Sequence, residues 1–160
     1  MENAHYFLHV TDTHLCFDAE TPDTCCTEKA LRSLYQTAFA WDHRPAFVLI
    51  TGDLVHEGTS ADYARAKILL QELDEQYHTK TYPALGNHDI RKNFNSAFRG
   101  LASDQPLDYC VQNEWLRWIV LDSSCGQVIG RLSGSQLAWL EQELNKPTDS
   151  PTILALHHPV

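Results

Sequence analysis

Basic residues are scarce in this chain of 160 residues, which has 12 Lys and Arg against 21 Asp and Glu and a formal net charge of −9. An acidic surface argues against broad nucleic-acid binding, because that binding depends on Lys and Arg side chains that neutralise phosphates. A phosphate-containing substrate would then need a local source of positive charge, which bound metal ions provide.

Membrane-spanning and secretory features are also missing. No apolar run is long enough to span a bilayer, and the opening Met-Glu-Asn-Ala-His lacks the basic region of a signal peptide. The five cysteines are an odd number, and the adjacent Cys25 and Cys26 suit neither a disulfide framework nor a Cys-X-X-Cys zinc site. We therefore expect a reducing, cytoplasmic setting. No linker or internal repeat divides the chain, so we predict one domain over residues 1–160.

Strand-like and helix-like segments alternate along the chain, an order typical of an α/β fold. The predicted strands are Tyr6–Thr11, Ala46–Thr51, Thr79–Leu85 and Thr152–Leu156, with a hairpin of Leu107–Gln112 and Trp115–Asp122. The predicted helices are Thr27–Ala40, a second from Gly58-Thr59-Ser60 to about Leu73, Arg91–Phe98, and a last one from the capping box Ser133–Gln136 to Leu144. We expect Leu137, Leu140 and Leu144 of the last helix to face inward.

Side chains that bind metals follow four of the predicted strands. The segments are Asp12-Thr13-His14, Gly52-Asp53, Gly86-Asn87-His88-Asp89 and His157-His158. Each segment alone also fits a simple turn after a strand, but their joint occurrence in this order favours a site at the C-terminal ends of the strands, where open α/β sheets bind ligands. We predict that Asp12, His14, Asp53, Asn87 and His157 converge within a few Å at the edge of one sheet.

Three other polar residues lie close to these motifs in the sequence. His56, three residues after Asp53, could line the rim of a pocket, but we favour a solvated loop histidine. Arg91 and Lys92 follow the Asn-His-Asp turn, and we interpret them as exposed helix charges rather than phosphate clamps.

The four motifs resemble the successive motifs of calcineurin-like metallophosphoesterases. Finer features are similar to bacterial class III 3′,5′-cyclic-nucleotide phosphodiesterases, and these are Leu121-Asp122-Ser123, Gly130-Arg131-Leu132-Ser133 and Gln136-Leu137 with Trp139-Leu140. The segment from Gly52 to Gly58 lacks the Asp-Arg pair of the protein-phosphatase branch. The resemblance covers nearly the whole chain and implies an α/β fold with a β-sandwich flanked by helices.

The resemblance also implies two divalent metal ions, Mn, Fe or Zn, which carboxylate, amide and imidazole ligands suit. Asp12 and His14 would bind the first metal, Asp53 would bridge, and Asn87 and His157 would bind the second. His88 would hydrogen-bond a phosphate oxygen, together with Asn87, or protonate the leaving oxygen. Asp89 would orient the His88 ring.

One family motif, Gly-His-X-His, is not found within these residues. We therefore expect the chain to be the N-terminal part of a longer protein, with an incomplete sandwich and with each metal one imidazole short. An uncovered apolar sheet face tends to associate, so we also expect the isolated chain to form homo-oligomers.

The predicted function is hydrolysis of a 3′,5′-cyclic nucleotide, with cyclic AMP as the first candidate, by attack of a metal-bridging hydroxide. One alternative is a related phosphoesterase that acts on a glycerophosphodiester, a phosphomonoester or a DNA end. The other is a non-catalytic scaffold with a phosphoesterase-like fold.

Overall fold

A computed structural model describes residues 5–17 and 27–159, where strands and helices alternate as predicted. The strands are β1 Leu8–Val10, β2 Val48–Thr51, β3 Thr81–Ala84, β4 Tyr109–Gln112, β5 Arg117–Val120 and β6 Thr152–Ala155. The helices are α1 Thr27–Ala38, α2 Ser60–Tyr77, α3 Arg91–Phe94 with a π-helical turn Asn95–Arg99, and α4 Gly134–Leu144. The adjacent residues Cys25 and Cys26 lie outside the described residues.

The strands form two three-stranded sheets. In the first, β1, β2 and β3 are all parallel, with Val10 opposite Ile50 and Ile50 opposite Pro83. In the second, β5 lies between β4, which is antiparallel to it, and β6, which is parallel. The predicted hairpin between β4 and β5 is confirmed, since Asn113 Oδ1 accepts hydrogen bonds from the backbone amides of Trp115 and Leu116.

The central strand β2 separates two hydrophobic cores. All four of its residues are buried, as expected for a parallel strand covered on both faces. Val48 and Ile50 belong to the core beneath α1 and α2, whereas Leu49 belongs to the core between the two sheets. In the second core, the rings of Phe47 and Trp118 stack with centroids 4.1 Å apart. The sheets thus form a β-sandwich flanked by helices, and the predicted fold class is confirmed.

Helix α2 runs one turn beyond its predicted end near Leu73. Its start follows the sequence signal, because Thr59 and Asp62 form a capping box. Its end at Tyr77 reflects tertiary contacts, since the Tyr77 ring lies 5.9 Å from that of Tyr35 and 5.2 Å from that of Phe39. His78 then stops the helix in the left-handed conformation.

Helix α4 begins at its predicted capping box, but its inward face is not the predicted one. Leu137 and Leu144 are 51% and 45% exposed, while Gln136 and Glu143 are buried. The Gln136 side-chain amide donates to the Asp108 carboxylate and to the Asp122 carbonyl, and this polar contact sets the rotation of the helix. The predicted inward orientation of Leu137 and Leu144 was therefore wrong. The expected formation of homo-oligomers stays a prediction.

Within the described ranges, no helix combines the length and apolar character needed to cross a membrane.

Candidate metal centre

The predicted metal ligands come together, but at the edges of two sheets rather than one. Asp12 and His14 follow β1, Asp53 follows β2, and Asn87 follows β3, all in the first sheet. His157 follows β6 in the second sheet. The prediction of a single sheet was wrong because the sequence does not reveal that β6 pairs with β5 and not with the first three strands.

Asp53 is the centre of the cluster. Its Oδ2 lies 3.6 Å from His14 Nε2 and 3.7 Å from His157 Nε2. His14 Nε2 also lies 4.0 Å from Asp12 Oδ1, and His157 Nε2 lies 3.2 Å from Asn87 Oδ1. One carboxylate therefore faces two separate groups of side chains, which is the geometry that a shared ligand requires.

The turns that carry these residues adopt unusual backbone conformations. Asp12, His14 and Asp53 have φ angles of 55°, 39° and 49°, in the left-handed region that Asp and His tolerate better than most residues. Each such residue costs on the order of 1–3 kcal/mol. Hydrogen bonds between the two turns hold this arrangement, since the His14 amide donates to the Asp53 carbonyl and the Asp12 amide donates to the Gly52 carbonyl.

Two glycines leave space for the cluster. A Cβ at Gly86 would lie 2.2 Å from Asp53 Oδ1, and one at Gly52 would lie 2.3 Å from His157 Nδ1. Gly52 also has a φ of +90°, which favours glycine, whereas Gly86 is not among the residues with positive φ. Gly86 is therefore required for close approach to Asp53 rather than for a sharp turn.

The tautomer of His157 makes this cluster suitable for a cation. Its Nδ1 lies 3.0 Å from the Thr51 carbonyl, which can only accept a hydrogen bond, so Nδ1 carries the proton. In the neutral ring Nε2 then carries a lone pair, which faces two further acceptors, Asn87 Oδ1 and Asp53 Oδ2. A backbone carbonyl on the opposite ring nitrogen is the usual support of a histidine that binds a metal.

The charge balance supports the same conclusion. The Asp53 side chain is only 4% exposed, and a buried carboxylate is costly unless a cation compensates it. No Lys or Arg pairs with Asp12 or Asp53 in the part of the chain that the structure describes. The donor atoms of Asp12, His14 and Asp53 lie within 4.8 Å of one another, close enough to hold one ion. The residues of this cluster therefore suit a divalent metal ion.

His88 lies at the cluster but outside this group of donors. Its backbone amide donates to Asp53 Oδ1 at 2.9 Å, and its ring packs edge-on against His14 with centroids 4.9 Å apart. The side chain is exposed, so it is accessible to a ligand. His56 also packs edge-on against His14, at 5.8 Å. His56 thus belongs to the rim of the site, the less favoured of the two interpretations that its sequence position allowed.

Asp89 does not orient the His88 ring. Its Oδ2 accepts from the backbone amides of Leu54 and Gly86, and its Oδ1 accepts from the Tyr63 hydroxyl. Burial raises the pKa of this carboxyl, and no hydrogen bond joins it to the neighbouring histidine, both residues being described. Asp89 instead fixes the turn after β2 against the turn after β3, because these donors occupy both of its oxygens.

Arg91 is neither an exposed helix charge nor a phosphate clamp. Its guanidinium forms an ion pair of 2.8 Å with Asp122, which is completely buried, and donates to the Ser124 and Asp104 carbonyls.

The model of the family described as calcineurin-like phosphoesterase matches residues 5–160. The chain belongs to this family. A solved structure of a dimetal phosphatase from Danio rerio has the same fold, with a TM-score of 0.71 over 99% of this chain and 71% of that one, at 14% identity.

Three curated relatives of this phosphoesterase chain come from bacteria. A probable cyclic nucleotide phosphodiesterase from Rhodococcus erythropolis is 38% identical over 97% of this chain and 52% of its own. A cAMP/cGMP dual specificity phosphodiesterase from Mycobacterium tuberculosis is 36% identical over 95% of this chain and 49% of its own. A probable glycerophosphodiester phosphodiesterase from Arcobacter nitrofigilis is 34% identical over 72% of this chain and 42% of its own. The chain thus spans about half the length of these relatives.

Proposed function

We propose that the protein is a metal-dependent phosphodiesterase that hydrolyses a 3′,5′-cyclic nucleotide, with cyclic AMP as the first candidate, to the 5′-nucleotide. The observation that carries the proposal is the position of Asp53 Oδ2, 3.6 Å from His14 Nε2 and 3.7 Å from His157 Nε2. The names of the Rhodococcus and Mycobacterium relatives support the substrate class.

Five side chains would hold two divalent ions. Asp12 and His14 would bind one, Asn87 and His157 the other, and Asp53 would contact both, as the distances to its carboxylate allow. A bound pair of cations supplies two kinds of chemistry, lowering the pKa of water and neutralising charge on the phosphoryl oxygens. The donor set suits Mn, Fe or Zn.

His88 would donate a proton to the leaving group. Its backbone amide holds Asp53 Oδ1, which fixes the residue beside the cluster while its ring remains exposed. In opening a cyclic phosphodiester to a 5′-nucleotide, the bond from phosphorus to the 3′ oxygen breaks, and that oxygen needs a proton. The imidazolium of His88 can donate it, or hydrogen-bond a phosphate oxygen together with Asn87.

The test is hydrolysis of cyclic AMP by the full-length protein with added Mn²⁺, followed by chromatography of the nucleotide products. We expect 5′-AMP as the product, with no turnover when the metal is chelated and recovery when Mn²⁺ is added back. A metal-loaded protein that hydrolyses no phosphodiester would contradict the proposal and favour a non-catalytic scaffold.

A glycerophosphodiester is the second candidate substrate, because the Arcobacter relative is named for that activity. Comparing kcat/KM for cyclic AMP and glycerophosphoethanolamine distinguishes the two. A higher kcat/KM for the glycerol ester would make a glycerophosphodiester the assigned substrate and would leave the proposed metal centre unchanged.

A further inference from the structure

A cavity of about 520 Å³ is lined in part by Asp89, the neighbour of His88 in the sequence, and its volume is in the range of small-molecule sites. One wall is the segment Asp89–Arg91, which follows β3, and the facing wall is made by the connection from β5 to α4. The lining residues used below are Ile90, Asp104, Pro106, Cys125, Arg131 and Ser133. Because β5 and β6 are parallel, the connection leaves the second sheet at the edge where His157 lies.

Partly or fully buried hydrogen bonds fix the walls of this cavity. Arg91 joins one wall to the other through the Asp122 carboxylate and the Ser124 carbonyl. Gln136 ties the start of α4 to Asp108 and to the Asp122 carbonyl. A cavity with walls held in this way is formed before a ligand arrives, which lowers the entropic cost of binding.

Two charged side chains that line the cavity remain available to contact a ligand. No hydrogen bond or ion pair of the described residues engages the Arg131 guanidinium or the Asp104 carboxylate, and both residues are exposed. Ile90, 46% exposed, and Pro106 add apolar surface. A free guanidinium, a free carboxylate and apolar surface together suit a planar heterocycle that carries both donors and acceptors on its edge.

The cavity is connected to the metal centre on both sides. Ile90 lies two residues after His88 in the sequence. On the other side Gly130 is packed so closely that a Cβ there would lie 2.3 Å from the His158 ring, which itself lies 5.0 Å from the His157 ring. This cavity is therefore the candidate site for the organic substituent of a phosphate held at the metal centre.

We propose that the cavity binds the nucleobase of the substrate, with Arg131 as the residue that stacks on its face. This inference rests on the proposed function, because it assumes that the phosphate of a nucleotide occupies the metal centre. It adds a specificity-determining residue outside the metal ligands. Asp104 would accept a hydrogen bond from an exocyclic amino group of the base.

The experiment compares two ligands that differ only in the base, 5′-AMP and ribose 5-phosphate, by calorimetry with the full-length protein in Mn²⁺. We expect 5′-AMP to bind more tightly, and Arg131→Ala to weaken 5′-AMP about tenfold, the value of one stacking contact with a cation. The same change should leave ribose 5-phosphate unaffected. Lys92→Ala is the matched control, since Lys92 is an exposed cation near the site that does not line the cavity.

Cys125 gives an independent measure of location, because it is exposed and lines the cavity. Saturating 5′-AMP should slow its alkylation by iodoacetamide, measured by peptide mass spectrometry, while Cys110 reacts at an unchanged rate. Equal affinity for the two ligands, or an advantage for 5′-AMP that survives Arg131→Ala, would overturn the inference. These binding results do not depend on turnover, so they are distinguishable from a failure of the proposed hydrolysis.

Discussion

The two sheets contribute to the site in different ways. The first supplies Asp12, His14, Asp53 and Asn87 from turns whose backbone is partly left-handed and closely packed. The second supplies His157 and, through the connection from β5 to α4, a cavity wall held by side-chain hydrogen bonds. Strained turns can fix the positions of ligand atoms to within a fraction of an Å. A loop on a rigid scaffold can instead change its residues without disturbing those ligand atoms. We therefore expect substitutions of the proposed metal ligands to affect chemistry and substitutions in the connection from β5 to α4 to affect recognition.

The largest effect should follow from Asp53→Asn. An amide at this position carries no charge and presents an N–H to one of the two imidazoles that now share a carboxylate oxygen. We expect turnover to be abolished and the metal content, measured by elemental analysis after dialysis, to fall. Asp149→Asn, at an exposed position outside the site, should change neither quantity. Normal metal content in Asp53→Asn would show that this carboxylate is not the shared ligand.

His88→Asn should lower kcat by roughly 10²–10⁴, the usual contribution of general acid–base catalysis. Metal content should stay near normal, because the backbone amide that donates to Asp53 Oδ1 is retained. The pair of measurements separates the two roles within the first sheet, since loss of a ligand empties a site and loss of a proton donor only slows it. If His88→Asn removed the metals, the assignment of His88 would be wrong.

Gly86→Ala tests the close packing of the first sheet. The new Cβ would meet the Asp53 side chain at 2.2 Å and its backbone nitrogen at 2.5 Å, so the turn must shift. Overpacking of this kind costs about 1–3 kcal/mol in the free energy of unfolding, measured by urea denaturation. Gly134→Ala is the matched control, since no atom lies within 4 Å of its Cβ, and the variant should be at least as stable as the native protein. Equal stability of the two variants would contradict the requirement for space at Gly86.

The sequence predicted the parts of the structure that depend on local patterns. The alternation of strands and helices, the capping box of α4 and the grouping of Asp12, His14 and Asp53 follow from periodicity and from motifs placed after strands. It did not predict that His157 arrives from a second sheet, because strand pairing is set by contacts distant in sequence.

The sequence also did not predict which side chains would contact one another. The exposure of Leu137, the pairing of Arg91 with Asp122 and the hydrogen bonds of Asp89 each depend on a residue that folding brings from elsewhere in the chain. Hydrophobic periodicity places leucines toward a core, but the buried contacts of Gln136 with Asp108 and Asp122 determine which face of α4 turns inward. Polar networks of this kind leave no periodic signal in a single sequence.

The smallest effect comes from the two capping boxes, one against each sheet. Thr59 caps α2, which covers the first sheet, and Ser133 caps α4 and lines the cavity. Replacing either residue by Ala removes one cap, so each variant should lose about 1 kcal/mol of unfolding free energy in urea denaturation.

The two variants should differ in nucleotide binding. Loss of the Ser133 hydroxyl removes the acceptor of the Gln136 backbone amide at the start of α4, and should weaken 5′-AMP relative to ribose 5-phosphate. Thr59→Ala should leave that ratio unchanged. An equal change of the ratio in both variants would mean that cap loss acts through general stability, and the connection from β5 to α4 would then have no separate role in recognition.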